Sequence, residues 1–226
     1  MDFSKLQKNI HLTFANENLL TQAFVHRSYL NEHPDFPLDH NERLEFLGDA
    51  VLELVVTEHL FLNFPNPEGE LTNWRASLVN SKMLSKLATN LELDSLLLLS
   101  RGESKDTGKA RQYILANAME SLIGAIYLDK GWDGAKQFIH EFVIVELSEI
   151  LDKKLYLDPK SSFQELAQER AGVTPTYKVL SEFGPDHAKQ FEVGVYLKNE
   201  LIASGTGSSK QEAQESAATA ALEKEI

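Results

Sequence analysis

Apolar residues recur at helical spacing through most of the first 150 positions. The pattern runs over residues 41–62, again over 72–91 (LTNWRASLVNSKMLSKLATN), then over 111–128 and 132–150. Prolines within 34–37 and 65–67 and the glycine-bearing stretch RGESKDTGK at 101–109 separate these runs. Residues 1–150 are therefore expected to form an all-α domain. From Asp158 the period changes. Ser162-Phe163-Gln164-Glu165 has the form of a capping box opening a helix that Gly172 can close. Three β-like runs follow at 174–183, 189–198 and 200–207, with alternation plain in Phe191, Val193 and Val195, and then an alanine-rich helix. The order α-β-β-β-α predicts a small α+β domain over 161–226, with the charged segment LDKKLYLDPK at 151–160 as linker.

Within the first helical run, NERLEFLGDAVLEL at 41–54 carries Glu42, Glu45, Asp49 and Glu53. At about 100° per residue these four share an arc of roughly 80°. Like charges stacked three and four apart oppose helix formation, so a cation or water must offset them. Asn41 is a suitable N-cap, and the helix dipole accounts for Glu42 and Glu45 but not for Asp49 or Glu53. Gly48 in mid-helix costs about 1 kcal/mol against alanine, which suggests a close packing partner there.

A second segment, YILANAMESLIGAIYLD at 113–129, is apolar almost all round and is expected to be buried. Asn117 and Glu120 lie three residues apart on it and project the same way. An ionised glutamate in such surroundings needs a partner. Arg43 or Arg75 would serve, an exposed helix edge would remove the need, and a divalent ion shared with the first helix is the third solution. Oxygen donors from two helices are the kind that Mg²⁺ and Mn²⁺ prefer.

Composition narrows the chemistry. The 42% hydrophobic content supports real cores, and the absence of cysteine removes disulfides, thiolate nucleophiles and cysteine-ligated zinc. With no long apolar run and no signal-like start, a soluble cytoplasmic protein without membrane attachment is expected. The net charge of −12 is not that of a generic nucleic-acid binder. Both parts share the imbalance, so any nucleic-acid contact must be local.

These segments resemble the ribonuclease III family. NERLEFLGDAVLEL is similar to the family signature, and FVHRSY (24–29), PEGELTNWRASLV (67–79) and ILANAMESLIGAIYLD (114–129) follow in the order of its nuclease domain. The tail from SSFQELAQERAG to SSKQEAQESAATAAL resembles a double-stranded RNA-binding domain. The resemblance covers nearly the whole chain. It implies a Mg²⁺-dependent endonuclease of double-stranded RNA, with Mn²⁺ as an alternative ion. Glu45, Asp49, Asn117 and Glu120 match the metal-holding positions, Asp49 and Glu120 as the catalytic pair. Glu42 and Glu68 match accessory acidic positions, while Glu53 matches none and reads as an ordinary surface glutamate. Phe46 alone reads as a core residue; the resemblance implies that it inserts into the partner of a homodimer. Asn117 departs from the usual aspartate: its amide oxygen can ligate but brings no charge.

In such enzymes metal ions about 4 Å apart activate water and stabilise both attacking and leaving oxygens, so no side chain need act as nucleophile. The implied products carry 5′-phosphate and 3′-hydroxyl ends with short 3′ overhangs, and the implied substrates are ribosomal RNA precursors and other structured RNA. For the second domain the resemblance implies minor-groove contacts from Gln164, Glu165 and Gln168, a second set from the turn Gly184-Pro185-Asp186-His187, and phosphate contacts from Ser208, Ser209 and Lys210. The third region is thin in basic residues, which implies weak, salt-sensitive RNA binding. A feebly active or inactive RNA-binding regulator is the alternative reading, and a small-molecule phosphohydrolase a remote one.

Overall fold

The computed structural model describes residues 2–185 and 189–224. The chain divides into two compact units, Met1–Tyr156 and Leu157–Ile226. The first is helical: α1 (Ser4–Asn9), α2 (Glu17–Gln22), α3 (Arg27–Glu32), α4 (Glu42–Asn63), α5 (Glu68–Val79), α6 (Ser81–Asn90), α7 (Lys109–Phe142) and α8 (Leu147–Asp152). Among the described residues no helix is long and apolar enough to cross a membrane.

Two helix boundaries depart from the periodic reading for identifiable reasons. The run over 72–91 is two helices, because Asn80 adopts an extended conformation and its side chain accepts the Met83 N–H at 2.9 Å, capping α6. The runs over 111–128 and 132–150 meet in α7, which turns at Gly131, where φ is +71°. That left-handed geometry suits glycine and strains other residues. A short helical turn at Ile144–Glu146 then leads into α8.

The core of this unit is built around α4 and α7. Leu52, Val55, Val56 and Leu60 of α4 bury against Met119, Leu122, Ile123 and Ile126 of α7, with Leu78, Leu84 and Leu87 closing the sides. Two glycines let the central helices approach closely. A Cβ on Gly48 would lie 1.8 Å from the Glu120 carbonyl oxygen, and one on Gly124 would lie 2.2 Å from the Leu44 carbonyl oxygen. The close partner that Gly48 implied is thus the backbone of α7.

Asn41 stands at the start of α4 but does not cap it with its side chain. The residue is buried, and its amide instead donates to the Ala23 carbonyl at 3.2 Å, while its backbone N–H donates to the Val25 carbonyl at 2.8 Å. The segment it grips is itself tied to Leu98 by a short parallel bridge.

In the second unit, α9 (Pro159–Ala171) opens at Pro159 rather than at Ser162. Asp158 is the cap, accepting from the backbone N–H groups of Lys160 and Ser161, and proline at the first helical position needs no N–H partner. Gly172 closes the helix at φ +64°. Strands β1 (Thr176–Phe183), β2 (Gln190–Leu197) and β3 (Glu200–Gly207) form an antiparallel sheet in that order, and α10 (Lys210–Leu222) follows. Phe163, Val195, Ala203, Ala217, Ala218 and Ala221 make its core. The alanines allow α10 to lie directly on β3, so close that a Cβ on Gly205 would reach within 2.2 Å of the Ala217 backbone nitrogen.

Gly48→Ala is expected to lower stability by about 2 kcal/mol or more, because the cost of forcing α4 from α7 exceeds the ~1 kcal/mol that alanine gains in helix propensity. A urea unfolding curve measures it, and an unchanged midpoint would contradict the close approach.

Candidate functional site

The contact between α4 and α7 carries an acidic wall at one end. Glu45 and Glu120 are partly buried, Asn117 lies one turn before Glu120 on the same side of α7, and Asp49 is more exposed. Burial pushes the Glu120 carboxyl up to about 8, and the charges of Asp49 and Glu45 add to the effect. Burial also raises Glu45, helped by Glu42 and Asp49, while the amide of Asn117 faces its carboxylate and favours the charged form. These couplings place Glu45, Asp49 and Glu120 within one another's field. Among the described residues no basic side chain forms an ion pair with Glu120. Arg75, one of the partners considered for it, instead donates to Thr57 at 3.0 Å and lies 3.9 Å from Glu53.

The wall is open rather than closed. Among the described residues no three Asp, Glu, His or Cys side chains already gather into a cation cage. An open row of carboxylate and amide oxygens still suits a small hard cation, since Mg²⁺ keeps several of its waters and binds through one or two protein carboxylates. The uncompensated negative charge is what such an ion would neutralise.

Other residues expected near this centre have different surroundings. Glu42 is exposed and engaged, with Arg27 at 3.3 Å and His40 at 3.7 Å. Neither residue was singled out from the sequence as a partner of Glu42, because each becomes its neighbour only through the fold. Glu53 is paired with Arg75 and is not a free surface glutamate. Glu68 opens α5 and lines a hollow of about 600 Å³ with Phe61, Phe64, Thr72 and Arg75, a group that includes no member of the acidic wall. Phe46 is no core residue: it is 81% exposed, as is much of Phe61 further along α4. Gly124, which the sequence did not flag, is the counterpart of Gly48.

On the second unit Gln164, Glu165 and Gln168 lie on the exposed face of α9. Gly184 follows β1 with φ +91° and Pro185 is exposed; Asp186 and His187 lie outside the described residues. The three residues at the start of α10 are occupied within the protein. The Ser208 backbone N–H and hydroxyl both donate to the Glu212 carboxylate, and the Ser209 hydroxyl oxygen caps α10 by accepting the Glu212 N–H at 3.2 Å. Lys210 lies 3.4 Å from the Glu182 carboxylate and 5.6 Å from the centre of the Phe191 ring. Lys189 shares both partners, at 2.7 Å and 5.6 Å, and holds the Glu182 carboxyl below its usual range.

Comparison with known proteins agrees with this architecture. A family model described as Ribonuclease-III-like matches residues 16–147, and one described as a double-stranded RNA binding motif matches 159–225. Ribonuclease 3 of Geobacillus sp. (strain WCH70) is 45% identical over 98% of this chain and 90% of its own length. Ribonuclease 3 of Natranaerobius thermophilus is 44% identical over 99% and 96% respectively. Among solved structures, the nuclease domain of ribonuclease III from Campylobacter jejuni, described for flexibility in a region involved in dimer formation, superposes with a TM-score of 0.57 at 41% identity. It covers 62% of this chain and 95% of that domain. Both units thus match the same known proteins over nearly the whole chain, and the chain belongs to the ribonuclease III family.

Proposed function

We propose that this protein hydrolyses phosphodiester bonds of double-stranded RNA with Mg²⁺ held at the α4–α7 wall. The observation that carries the reading is that Glu45, Asp49 and Glu120, rooted in two helices, lie within one another's electric field, with Glu120 pushed up to about 8 and no basic partner among the described residues. Mn²⁺ is the natural alternative ion, being another hard acceptor of carboxylate oxygens. Glu45, Asp49 and Glu120 hold the cation, and Asn117 offers an amide oxygen while its N–H₂ steadies Glu45. These residues would hold a divalent ion whose chemistry, when bound, would be to polarise the scissile phosphate and lower the pKa of the attacking water. Cleavage of P–O3′ bonds in this way leaves 5′-phosphate and 3′-hydroxyl ends.

The second unit supplies duplex recognition through α9 and the turn after β1, reading helical shape rather than sequence. The exposed Phe46 and Phe61 on α4, large apolar groups that association would bury, support a homodimer. Two walls facing one duplex would produce short 3′ overhangs. The substrates proposed are ribosomal RNA precursors and other structured RNA of the cytoplasm. The competing reading, a duplex-RNA binder with little or no cleavage, draws on the neutral Asn117 and on the internal pairing of Lys210.

Incubation with a long RNA duplex in Mg²⁺ separates the two: short fragments are expected, and intact bound duplex would favour the regulator. Asn117→Asp adds a charge to the wall and is expected to lower the Mg²⁺ concentration for half-maximal cleavage by about tenfold, the scale of a change at or beside a metal ligand. Superimposable titrations of the two proteins would refute this. Without metal, Glu120 also makes folding pH-dependent. Its ordinary value is 4.5 and its folded value about 8, so between these the unfolded chain gives up a proton that the folded one keeps. Stability is then full at the acid end and declines toward the alkaline end of that window. Melting curves in a chelator are expected to show this decline for the native chain and a flatter profile for Glu120→Gln.

A further inference from the structure

Asn41 and Ser121 are the two buried polar residues among those described, and they meet across the central helix pair. The Ser121 hydroxyl of α7 donates to the Asn41 carbonyl at 3.4 Å. The same carbonyl accepts the N–H groups of Leu44 at 2.8 Å and Glu45 at 2.9 Å. One oxygen therefore joins the first turn of α4, the backbone of Glu45 and a side chain adjoining Glu120. Behind it, the Asn41 side chain and backbone N–H hold the 23–25 segment by the bonds to Ala23 and Val25.

Burying these groups needs a compensating role, because a hydrophobic interior disfavours polar atoms that packing alone could replace. Apolar side chains along α4 and α7 hold the pair together but lack the directionality of a hydrogen bond. The two glycines fix how near the helices come. A directional bond between Ser121 and the end of α4 resists the remaining freedom, the slide along the axis, on which the separation of Glu45 from Glu120 depends. Ser121 follows Glu120 in the chain, and Asn41 lies one helical turn before Glu45, so an axial displacement at the bond is passed to the acidic wall with little loss.

We infer that the buried bond between the Ser121 hydroxyl and the Asn41 carbonyl sets the axial register of α4 against α7, making both residues positioning residues for the divalent-cation site. The inference rests on the metal-holding role proposed for Glu45 and Glu120. Neither residue touches the cation; both act through the spacing of the carboxylates. Loss of the hydroxyl weakens cation binding more than it weakens the fold, which distinguishes register from ordinary core stability.

The experiment compares the full-length protein with Ser121→Ala, a small change in volume, and with Ile139→Val, a conservative change at a buried α7 position away from the wall. Calorimetric Mg²⁺ binding and the Mg²⁺-dependent rise in melting temperature are measured without RNA, together with the Mg²⁺ dependence of duplex cleavage. Ser121→Ala is expected to need about tenfold more Mg²⁺ in all three, at the lower end of the 10–100-fold range for groups that orient metal ligands. Ile139→Val is expected to lower the melting temperature without moving the Mg²⁺ requirement. Asn41→Ser, which removes the bond to Ala23, is expected to shift the Mg²⁺ requirement in the same direction and provides the measurement if Ser121→Ala gives no cooperative melting. A requirement within about twofold of the native value in the folded variant overturns the inference. If the native protein neither binds Mg²⁺ nor cleaves duplex RNA, the metal-dependent reading itself fails. Native binding and cleavage with an unresponsive Ser121→Ala reject the register role alone.

Discussion

The backbone contact between α4 and α7 at Gly48 and Gly124 is the constraint from which the nuclease-type unit is organised. Each glycine faces a carbonyl of the opposite helix at a distance no Cβ could share. Ordinary helix pairs stand about 8–10 Å apart because side chains fill the gap between them. Here the gap is removed over one turn, and carboxylates rooted in different helices come within each other's electric field. The large apolar side chains further along both helices, from Leu52 to Leu60 and from Met119 to Ile126, supply the burial that holds the pair in place.

That closeness has an electrostatic consequence. Glu120 is caught between desolvation and two neighbouring negative charges, and both act in the same direction. A salt bridge would relieve it, and among the described residues none is made to Glu120. Arg75, considered as its partner, is committed to Thr57 and Glu53 instead. The site therefore trades some stability for an unsatisfied field, a common arrangement where binding or catalysis is carried out.

Local features of this fold could be read from the chain, and long-range ones could not. The long helical periods, the three strands and the close approach at Gly48 all leave marks within a few residues. Glu45, Asp49 and Glu120 could be assigned to helix faces by spacing alone. Helices α1, α2 and α3 have six residues each, too few to establish a period. The division at Asn80 was written in the chain as a capping residue but hidden by continuous apolar spacing on both sides. Asn41 holds the expected N-cap position, but its side chain turns from the helix to Ala23, 18 positions away, and its carbonyl also meets Ser121, 80 positions away. Phe46 looked like core because aromatic side chains usually are, and only the direction α4 takes shows that it faces outward. The residues at the start of α10 looked free to meet phosphate for the same reason: Glu182, which holds Lys210, belongs to another element.

The shared carboxylate of Glu182 gives the second unit a built-in competitor for its own cations. Lys189 and Lys210 already have an anion between them, so an incoming phosphate must trade places with it rather than fill an empty position. A lone nucleotide can offer one such exchange, in which the gain and the loss nearly cancel. The acidic side chain thus keeps the charge of both lysines balanced within the unit, and an outside anion reaches them only by displacing it.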